Sequence, residues 1–272
     1  MGDARELAEA AARRALADIE AAIDEHDTCT WVLTGGTTPL AAYRRLARHD
    51  LRSAVEWGRV RVAMGDERCV SPDDPESNWG QAAAALLDHV PLGEDQRLRI
   101  RGELGAEAAA ADYETVLRRL PPAPGRARED PEAREDPEAR EGPEAREGPE
   151  AAAPPGAASP PAPRLEVLWL GVGPDGHCLS LFPGRPEVEV RDRLVVPVHG
   201  APKPPPDRVS LTLAALSGVE RLVVLATGAE KAAAVARARA GDSELPITRA
   251  VATVEAAGGT VTWLLDRSAA AG

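Results

Sequence analysis

Short apolar runs alternate with amphipathic segments along most of the chain. Five runs of strand length predict β-strands, at Thr30–Thr34, Val60–Met64, Leu165–Leu170, Leu222–Ala226 and Val261–Leu265. Apolar residues that recur every three or four positions predict helices, at Ala4–Ile23, Thr38–Ala47, Glu107–Leu120, Glu230–Ala240 and directly after Asn78. Strands alternating with helices predict an α/β fold, in which a mostly parallel sheet is flanked by helices on both faces.

Two helix starts and one strand carry further signals. Thr38 is expected to cap the helix that contains Pro39, and Asn78 has the spacing of a capping box with Gln81. Leu165–Leu170 is almost continuously apolar, as expected of a strand that is buried on both faces. Because ligands of such sheets bind beyond the carboxyl ends of the strands, the turns that follow the strands are the candidate sites.

The alternation stops at a hexapeptide repeat near the middle of the chain. Residues 126–151 contain REDPEA twice and REGPEA twice, with ten acidic residues and five arginines. Regular prolines break helices, and alanine alone offers little to bury. We therefore expect one catalytic α/β domain over residues 1–272, interrupted at about 121–163 by a disordered acidic insertion.

Composition narrows the possible functions. The net charge of −12 argues against nucleic acid and anionic membranes as partners. No apolar run reaches the roughly 20 residues that span a bilayer, and the acidic start MGDARELAEA does not resemble a signal peptide, so a cytoplasmic protein is expected. The three cysteines and five histidines show no metal-ligand spacing, so we expect no metal. The oligomeric state stays open between a monomer and a small homo-oligomer.

A glycine-rich turn follows the first predicted strand. In TGGTTP, Gly35 and Gly36 allow the backbone to approach a ligand closely, and Thr37 leads into a helix. The free N–H groups and positive dipole end of that helix suit a phosphate group. A tight structural turn is the alternative for this stretch.

Three more polar turns supply candidate side chains. Arg68 lies in GDERCVSPDDPESNW after the second strand, and Asp175 and His177 lie in LGVGPDGHCLSLFPG after the strand at Leu165–Leu170. Lys203 and Arg208 lie in the proline-rich APKPPPDRVSLT. A solvated acidic loop, a structural histidine and a surface linker are the respective alternatives. The other lysine of the chain, Lys231, is interpreted as structural or solvent-facing.

These motifs, in this order, resemble the 6-phosphogluconolactonases. The likeness covers nearly the whole chain outside the repeat and includes ATGAEKAAAV. It implies the sugar-phosphate isomerase/deaminase fold and hydrolysis of 6-phospho-D-glucono-1,5-lactone without a cofactor. Cys178 and Leu179 replace the small Thr-Ala usual in that family, which we expect to alter packing more than chemistry. The family's first strand is unmatched before the helix at Ala4–Ile23, so the edge of the sheet is expected to differ.

The resemblance also implies roles for the candidate residues. His177 would be the general base, since the ordinary pKa of histidine suits proton transfer at neutral pH, with Asp175 orienting it. Arg68, Lys203 and Arg208 would share phosphate binding and stabilisation of the developing oxyanion, and Arg68 therefore counts as catalytic too. Gly35, Gly36 and Thr37 would hold the phosphate.

Two other functions are weighed beside the lactonase. The glucosamine-6-phosphate deaminases have a similar GG loop and GxDGH turn, but they have a tyrosine where this chain has Arg68. The glutamate expected for isomerisation is also missing from Leu181–Pro183. A non-catalytic sugar-phosphate sensor would carry a DNA-binding helix-turn-helix, and the roughly 30 residues before the first strand read as one amphipathic helix.

Overall fold

The computed structural model describes residues 2–123 and 160–272. Nine strands are present in this part of the chain: β1 (Cys29–Leu33), β2 (Val60–Met64), β3 (Asp66–Arg68), β4 (Arg97–Leu98), β5 (Leu165–Gly171), β6 (Val195–Val198), β7 (Arg208–Leu211), β8 (Val219–Ala226) and β9 (Thr260–Leu265). Eight α-helices accompany them: α1 (Ala4–His26), α2 (Thr37–Leu46), α3 (His49–Arg52), α4 (Asn78–Ala85), α5 (Ala106–Leu117), α6 (Leu213–Leu216), α7 (Ala232–Arg239) and α8 (Pro246–Ala256).

Six strands form one sheet in the order β4-β2-β1-β5-β8-β9, and every neighbouring pair is parallel. All five residues of β1 and the first six of β5 are buried. Because side chains alternate across a strand, this continuous burial means that both faces of the sheet centre are covered. The predicted α/β fold with a mostly parallel sheet is confirmed.

The five predicted strands are present, with bounds that differ by at most three residues. Two cap predictions are wrong. Helix α2 begins at Thr37 after Gly36, with no side-chain cap, and the Thr38 hydroxyl bonds to Thr227 instead. Ser77, not Asn78, caps α4, since its hydroxyl accepts from the backbone N–H of Gly80.

The predicted helix Glu230–Ala240 is divided. A short 3₁₀ turn, Ala229–Lys231, precedes α7. Helix α8 has no counterpart among the predicted elements, although its buried residues Ile247, Ala250 and Val254 have helical spacing and Pro246 lies at its start.

A second, antiparallel sheet in the order β3-β7-β6 was not predicted either. Its strands have three or four residues, and β3 consists of Asp66, Glu67 and Arg68. Such a strand offers no apolar run, so hydrophobic patterning does not reveal it. Pairing of Arg68 with Arg208 brings two of the candidate turns side by side.

The two ends of the predicted insertion meet. The Ala123 N–H donates to the Ala162 carbonyl over 2.9 Å, and the Arg164 N–H donates to the Pro121 carbonyl over 2.8 Å. The remainder of that prediction, residues 124–159, lies outside the described residues. The single interrupted domain and the altered sheet edge therefore stay predictions.

No helix among the described residues is both long enough and apolar enough to cross a membrane.

Candidate active site

A cavity of about 270 Å³ opens at the carboxyl ends of β1, β2, β5 and β8. From β1 the chain adds β2 and β4 on one side, and β5, β8 and β9 on the other. Such a reversal of strand order leaves a crevice that binds ligands in open α/β sheets. Most of the predicted site residues line it: Gly35, Gly36, Thr37, Arg68, His177, Lys203 and Arg208.

The loop between β1 and α2 exposes the start of a helix to this cavity. Gly36 is the N-cap of α2, and its φ of 108° is a conformation that favours glycine. Because glycine has no side chain, the N–H groups of the first turn have no side-chain acceptor at this cap. The first turn holds no acidic residue. A Cβ at Gly35 would lie 2.0 Å from the Asn78 Oδ1 atom, so this position too requires glycine. These features make the loop suitable for an anion.

His177 and Asp175 form a hydrogen-bonded pair in the turn after β5. The His177 Nδ1 atom lies 2.5 Å from the Asp175 Oδ1 atom. The turn is closed by the Gly173 N–H, which donates to the His177 carbonyl, and a Cβ at Gly173 would lie 2.0 Å from Nδ1. Glycine at this position therefore allows the imidazole to fold back over its own turn.

The surroundings of His177 favour the neutral base. Burial lowers the pKa of His177 below its ordinary value, although the Asp175 carboxylate raises it. Burial raises the pKa of Asp175, but the charge and hydrogen bonds of His177 outweigh this effect and lower it overall. An ionised carboxylate at Nδ1 fixes the tautomer whose lone pair is on Nε2. Nε2 makes no hydrogen bond to any described residue, and the ring packs 4.7 Å from that of Phe182.

Arg68 is held at the cavity by a buried carboxylate. Glu67 is buried, and its oxygens accept from the backbone N–H groups of Arg68, Asn78 and Trp79 and from the Ser77 hydroxyl. This network ties β3 to the start of α4. The Arg68 side chain donates to the Glu76 carbonyl, while its buried Nε has no partner among the described residues.

Arg208 organises the proline-rich turn. This residue opens β7 and is only 5% exposed. Its guanidinium donates to the carbonyls of Lys203 and Pro205 over 2.9 and 3.1 Å, and it lies over the Phe182 ring. Arg208 thus holds the turn that presents Lys203, and the two cations reach the cavity together.

Lys231 also lines the cavity, so its interpretation as structural or solvent-facing is wrong. Its segment is tied to α2, since the Thr227 hydroxyl lies 2.7 Å from that of Thr38. Burial lowers the pKa of Lys231, and the charge of Lys203 adds to the effect. Two signals were available in the sequence. ATGAEK follows β8 as TGGTTP follows β1, and the chain has only two lysines, which both lie here.

The cavity wall includes other residues that the predicted site lacks, among them Asp66, Asn78 and Leu179. Asp66 is buried and accepts from the Ser180 hydroxyl over 2.7 Å. Asn78 donates to the Asp66 carbonyl, and its Oδ1 atom has no partner among the described residues. Leu179 has φ of 55°, which a leucine rarely adopts, so the predicted packing change at this position falls on the cavity wall.

The arrangement joins an anion-binding helix start, four cationic side chains and a histidine base in one cavity. It suits a small phosphorylated ligand that reacts by proton transfer. Among residues 2–123 and 160–272, the His and acidic side chains with metal-ligand spacing are Glu25, His26 and Glu220, and none of them lines this cavity.

Comparison with known proteins agrees with this class of site. Residues 2–263 match the family described as glucosamine-6-phosphate isomerases/6-phosphogluconolactonase, and the chain belongs to this family. It is 37% identical to the 6-phosphogluconolactonase of Streptomyces coelicolor, over 97% of this chain and 89% of that one. It is 36% identical to the 6-phosphogluconolactonase of Mycobacterium tuberculosis, over 97% and 93% of the two chains.

Solved structures show the same fold. The 6-phosphogluconolactonase of Trypanosoma brucei superposes with a TM-score of 0.76 at 26% identity, covering all of this chain and 96% of that one. A monomeric glucosamine-6-phosphate deaminase superposes with a TM-score of 0.70 at 20% identity, covering 100% and 97%. The second likeness concerns the fold alone. The predicted family is confirmed.

Proposed function

We propose that the chain is a 6-phosphogluconolactonase, which hydrolyses 6-phospho-D-glucono-1,5-lactone to 6-phospho-D-gluconate in the oxidative branch of the pentose phosphate pathway. The proposal rests on His177, which bonds to Asp175 and lines the same cavity as a helix start suited to an anion. The curated relatives named above, at 36–37% identity over nearly the whole chain, support the choice of substrate.

The phosphate end of the substrate binds at the start of α2. Gly35, Gly36 and Thr37 supply backbone N–H groups, and the segment of Lys231 adjoins them through Thr227 and Thr38. Binding energy at this remote group holds the lactone carbonyl in place for attack. Lys231 therefore joins the phosphate ligands expected from the sequence.

His177 activates the water. As the water oxygen bonds to C1, Nε2 takes its proton, and the electron pair of the carbonyl moves to oxygen. The tetrahedral intermediate then breaks its C1–O5 bond, and the imidazolium returns the proton to O5. The new carboxylic acid loses its proton to solvent. Asp175 orients the ring and stabilises the imidazolium during both steps.

Positive charge at the cavity stabilises the developing oxyanion. Arg68, Lys203 and Arg208 supply it, and they share the remaining contacts with the phosphate. The charges of Arg68 and Arg208 need no rearrangement during the reaction, because backbone carbonyls already hold both guanidinium groups. This route uses only side chains of the protein, and we propose that it requires no metal.

The test compares two lactones. Freshly generated 6-phosphogluconolactone and unphosphorylated gluconolactone are each followed against their spontaneous hydrolysis. We expect acceleration confined to the phosphorylated lactone. No acceleration of either compound would refute the proposal, and turnover of glucosamine 6-phosphate would then identify a deaminase. A cytoplasmic location follows from the substrate, since a phosphorylated sugar carries charges that do not cross a bilayer unaided.

A further inference from the structure

The chain has two tyrosines, Tyr43 and Tyr113, and both are completely buried. Each makes the same pair of hydrogen bonds. The Tyr43 hydroxyl accepts from the Thr34 N–H over 3.1 Å and donates to the Thr34 carbonyl over 3.1 Å. The Tyr113 hydroxyl accepts from the Met64 N–H over 3.0 Å and donates to the Met64 carbonyl over 2.8 Å.

The two bonded residues lie at equivalent places in the sheet. Thr34 directly follows β1 and Met64 is the last residue of β2, and these strands are parallel neighbours. Each therefore marks the end of a strand of the main sheet, directly before a segment that lines the cavity. Burial raises the pKa of both hydroxyls, so each keeps the proton that it donates.

Tyr43 holds the loop between β1 and α2 (residues 34–36), which is called the phosphate loop below. It lies in α2, whose first turn is the proposed phosphate site, and its hydroxyl bonds back to the residue before Gly35. The two ends of the loop are thus held at a fixed separation. The Tyr43 ring stacks on Trp169 at 5.5 Å and meets Trp31 edge-on at 5.8 Å, so its position is fixed by packing as well as by its hydroxyl.

Tyr113 makes the equivalent contact at the end of β2. It lies in α5, and its hydroxyl fixes the residue that leads through Gly65 to Asp66 and Arg68. The Gly65 N–H donates to the Leu33 carbonyl, so this loop is tied to the end of β1 as well. Tyr113 therefore fixes the start of the segment that carries Arg68, whereas Tyr43 fixes the loop that leads into α2.

We infer that Tyr43 and Tyr113 are a matched pair of positioning residues, Tyr43 for the phosphate of the substrate and Tyr113 for the reacting lactone carbonyl. This inference rests on the proposed function for its substrate. Neither hydroxyl touches the substrate. Each satisfies both backbone groups of one strand end, and no water needs to enter at these points.

Each tyrosine serves as the control for the other. Tyr43→Phe and Tyr113→Phe each remove one accepted and one donated hydrogen bond to the backbone, and each preserves the ring. A 1 Å misplacement of a group that binds or reacts can cost roughly a hundredfold in rate, so a smaller shift is expected to cost about tenfold. For Tyr43→Phe we therefore expect KM for the phosphorylated lactone and Kd for 6-phosphogluconate to rise about tenfold, while kcat changes less than about twofold. For Tyr113→Phe we expect kcat to fall about tenfold with KM and Kd nearly unchanged.

Melting temperatures measured in parallel separate positioning from lost stability. Equal falls in melting temperature, with kcat and KM shifted in the same way by both variants, would overturn the inference. If the wild type does not accelerate lactone hydrolysis, the proposed function fails on its own. Inorganic phosphate then serves as the probe: weaker binding by Tyr43→Phe alone supports the phosphate role, and equal binding by both variants refutes it.

Discussion

Replacement of Asp175 by asparagine tests the role of the carboxylate beside His177. The substitution keeps the shape of the side chain and removes its charge from the 2.5 Å contact with Nδ1. A hydrogen bond to a charged group is worth about 1.5–3 kcal/mol. Because the Asp175 side chain is 42% exposed, solvent screening reduces this to about 1–2 kcal/mol, or a loss of roughly 5- to 30-fold in kcat/KM.

The pH dependence provides the second readout. The wild-type rate falls as the pH drops through the pKa of His177, which lies below its ordinary value because the ring is buried. Asp175 raises the pKa of His177, whereas burial lowers it. Removal of the Asp175 charge is therefore expected to lower the pKa of His177 further and to move the inflection of the rate to lower pH. An asparagine amide can also donate to Nδ1, which places the proton on Nε2 and increases the loss.

The assay is the initial rate of lactone disappearance between about pH 5 and 8, after subtraction of spontaneous hydrolysis at each pH. Asp24→Asn, an exposed substitution on α1, is the matched control and should match the wild type. Unchanged kcat/KM in Asp175→Asn, or an inflection that moves to higher pH, would refute the role of this pair.

Two predictions concern the phosphate end. Gly35→Ala places a Cβ 2.0 Å from the Asn78 Oδ1 atom, so we expect KM for the phosphorylated lactone to rise at least about tenfold through displacement of the loop. Gly58→Ala, where a Cβ meets nothing within 4 Å, is its control, and equal KM values in the two variants would contradict the argument. Lys231→Met should weaken binding of the phosphorylated lactone by about ten- to a hundredfold, as expected for loss of a charged hydrogen bond. The same substitution should leave kcat for this lactone nearly unaltered, and a loss confined to kcat, with KM unchanged, would remove Lys231 from the phosphate site.

The centre of the main sheet could be predicted from sequence because β1 and β5 are buried almost throughout, and continuous burial requires apolar runs. Strands β2, β8 and β9 keep recognisable apolar runs although they are less completely buried, whereas β4 has only two residues and was not predicted. The second sheet could not be found in this way. Its strand β3 is made of three charged residues, and its partner strand β7 is distant in sequence, with 140 positions from Arg68 to its partner Arg208.

The parts of the candidate site that could be predicted are the turns after β1 and β5, because glycine-rich segments with a histidine in the second of them are recognisable in the sequence. Lys231 was missed because a charge at the start of a helix does not show which way it faces. The position of its turn after β8, equivalent to that of TGGTTP after β1, was the usable signal. Asn78 was interpreted as a helix cap, since its spacing fits one, whereas the structure gives that task to Ser77 and turns Asn78 toward the cavity.

The most direct test compares the wild type with His177→Ala at neutral pH. Both proteins are mixed with freshly generated 6-phosphogluconolactone, and its disappearance is measured against the spontaneous rate. We expect a clear acceleration by the wild type and a loss of about 10²- to 10⁴-fold in kcat on removal of the base, with binding of 6-phosphogluconate retained. Equal rates for the two proteins would contradict it, because His177 would then not be the base.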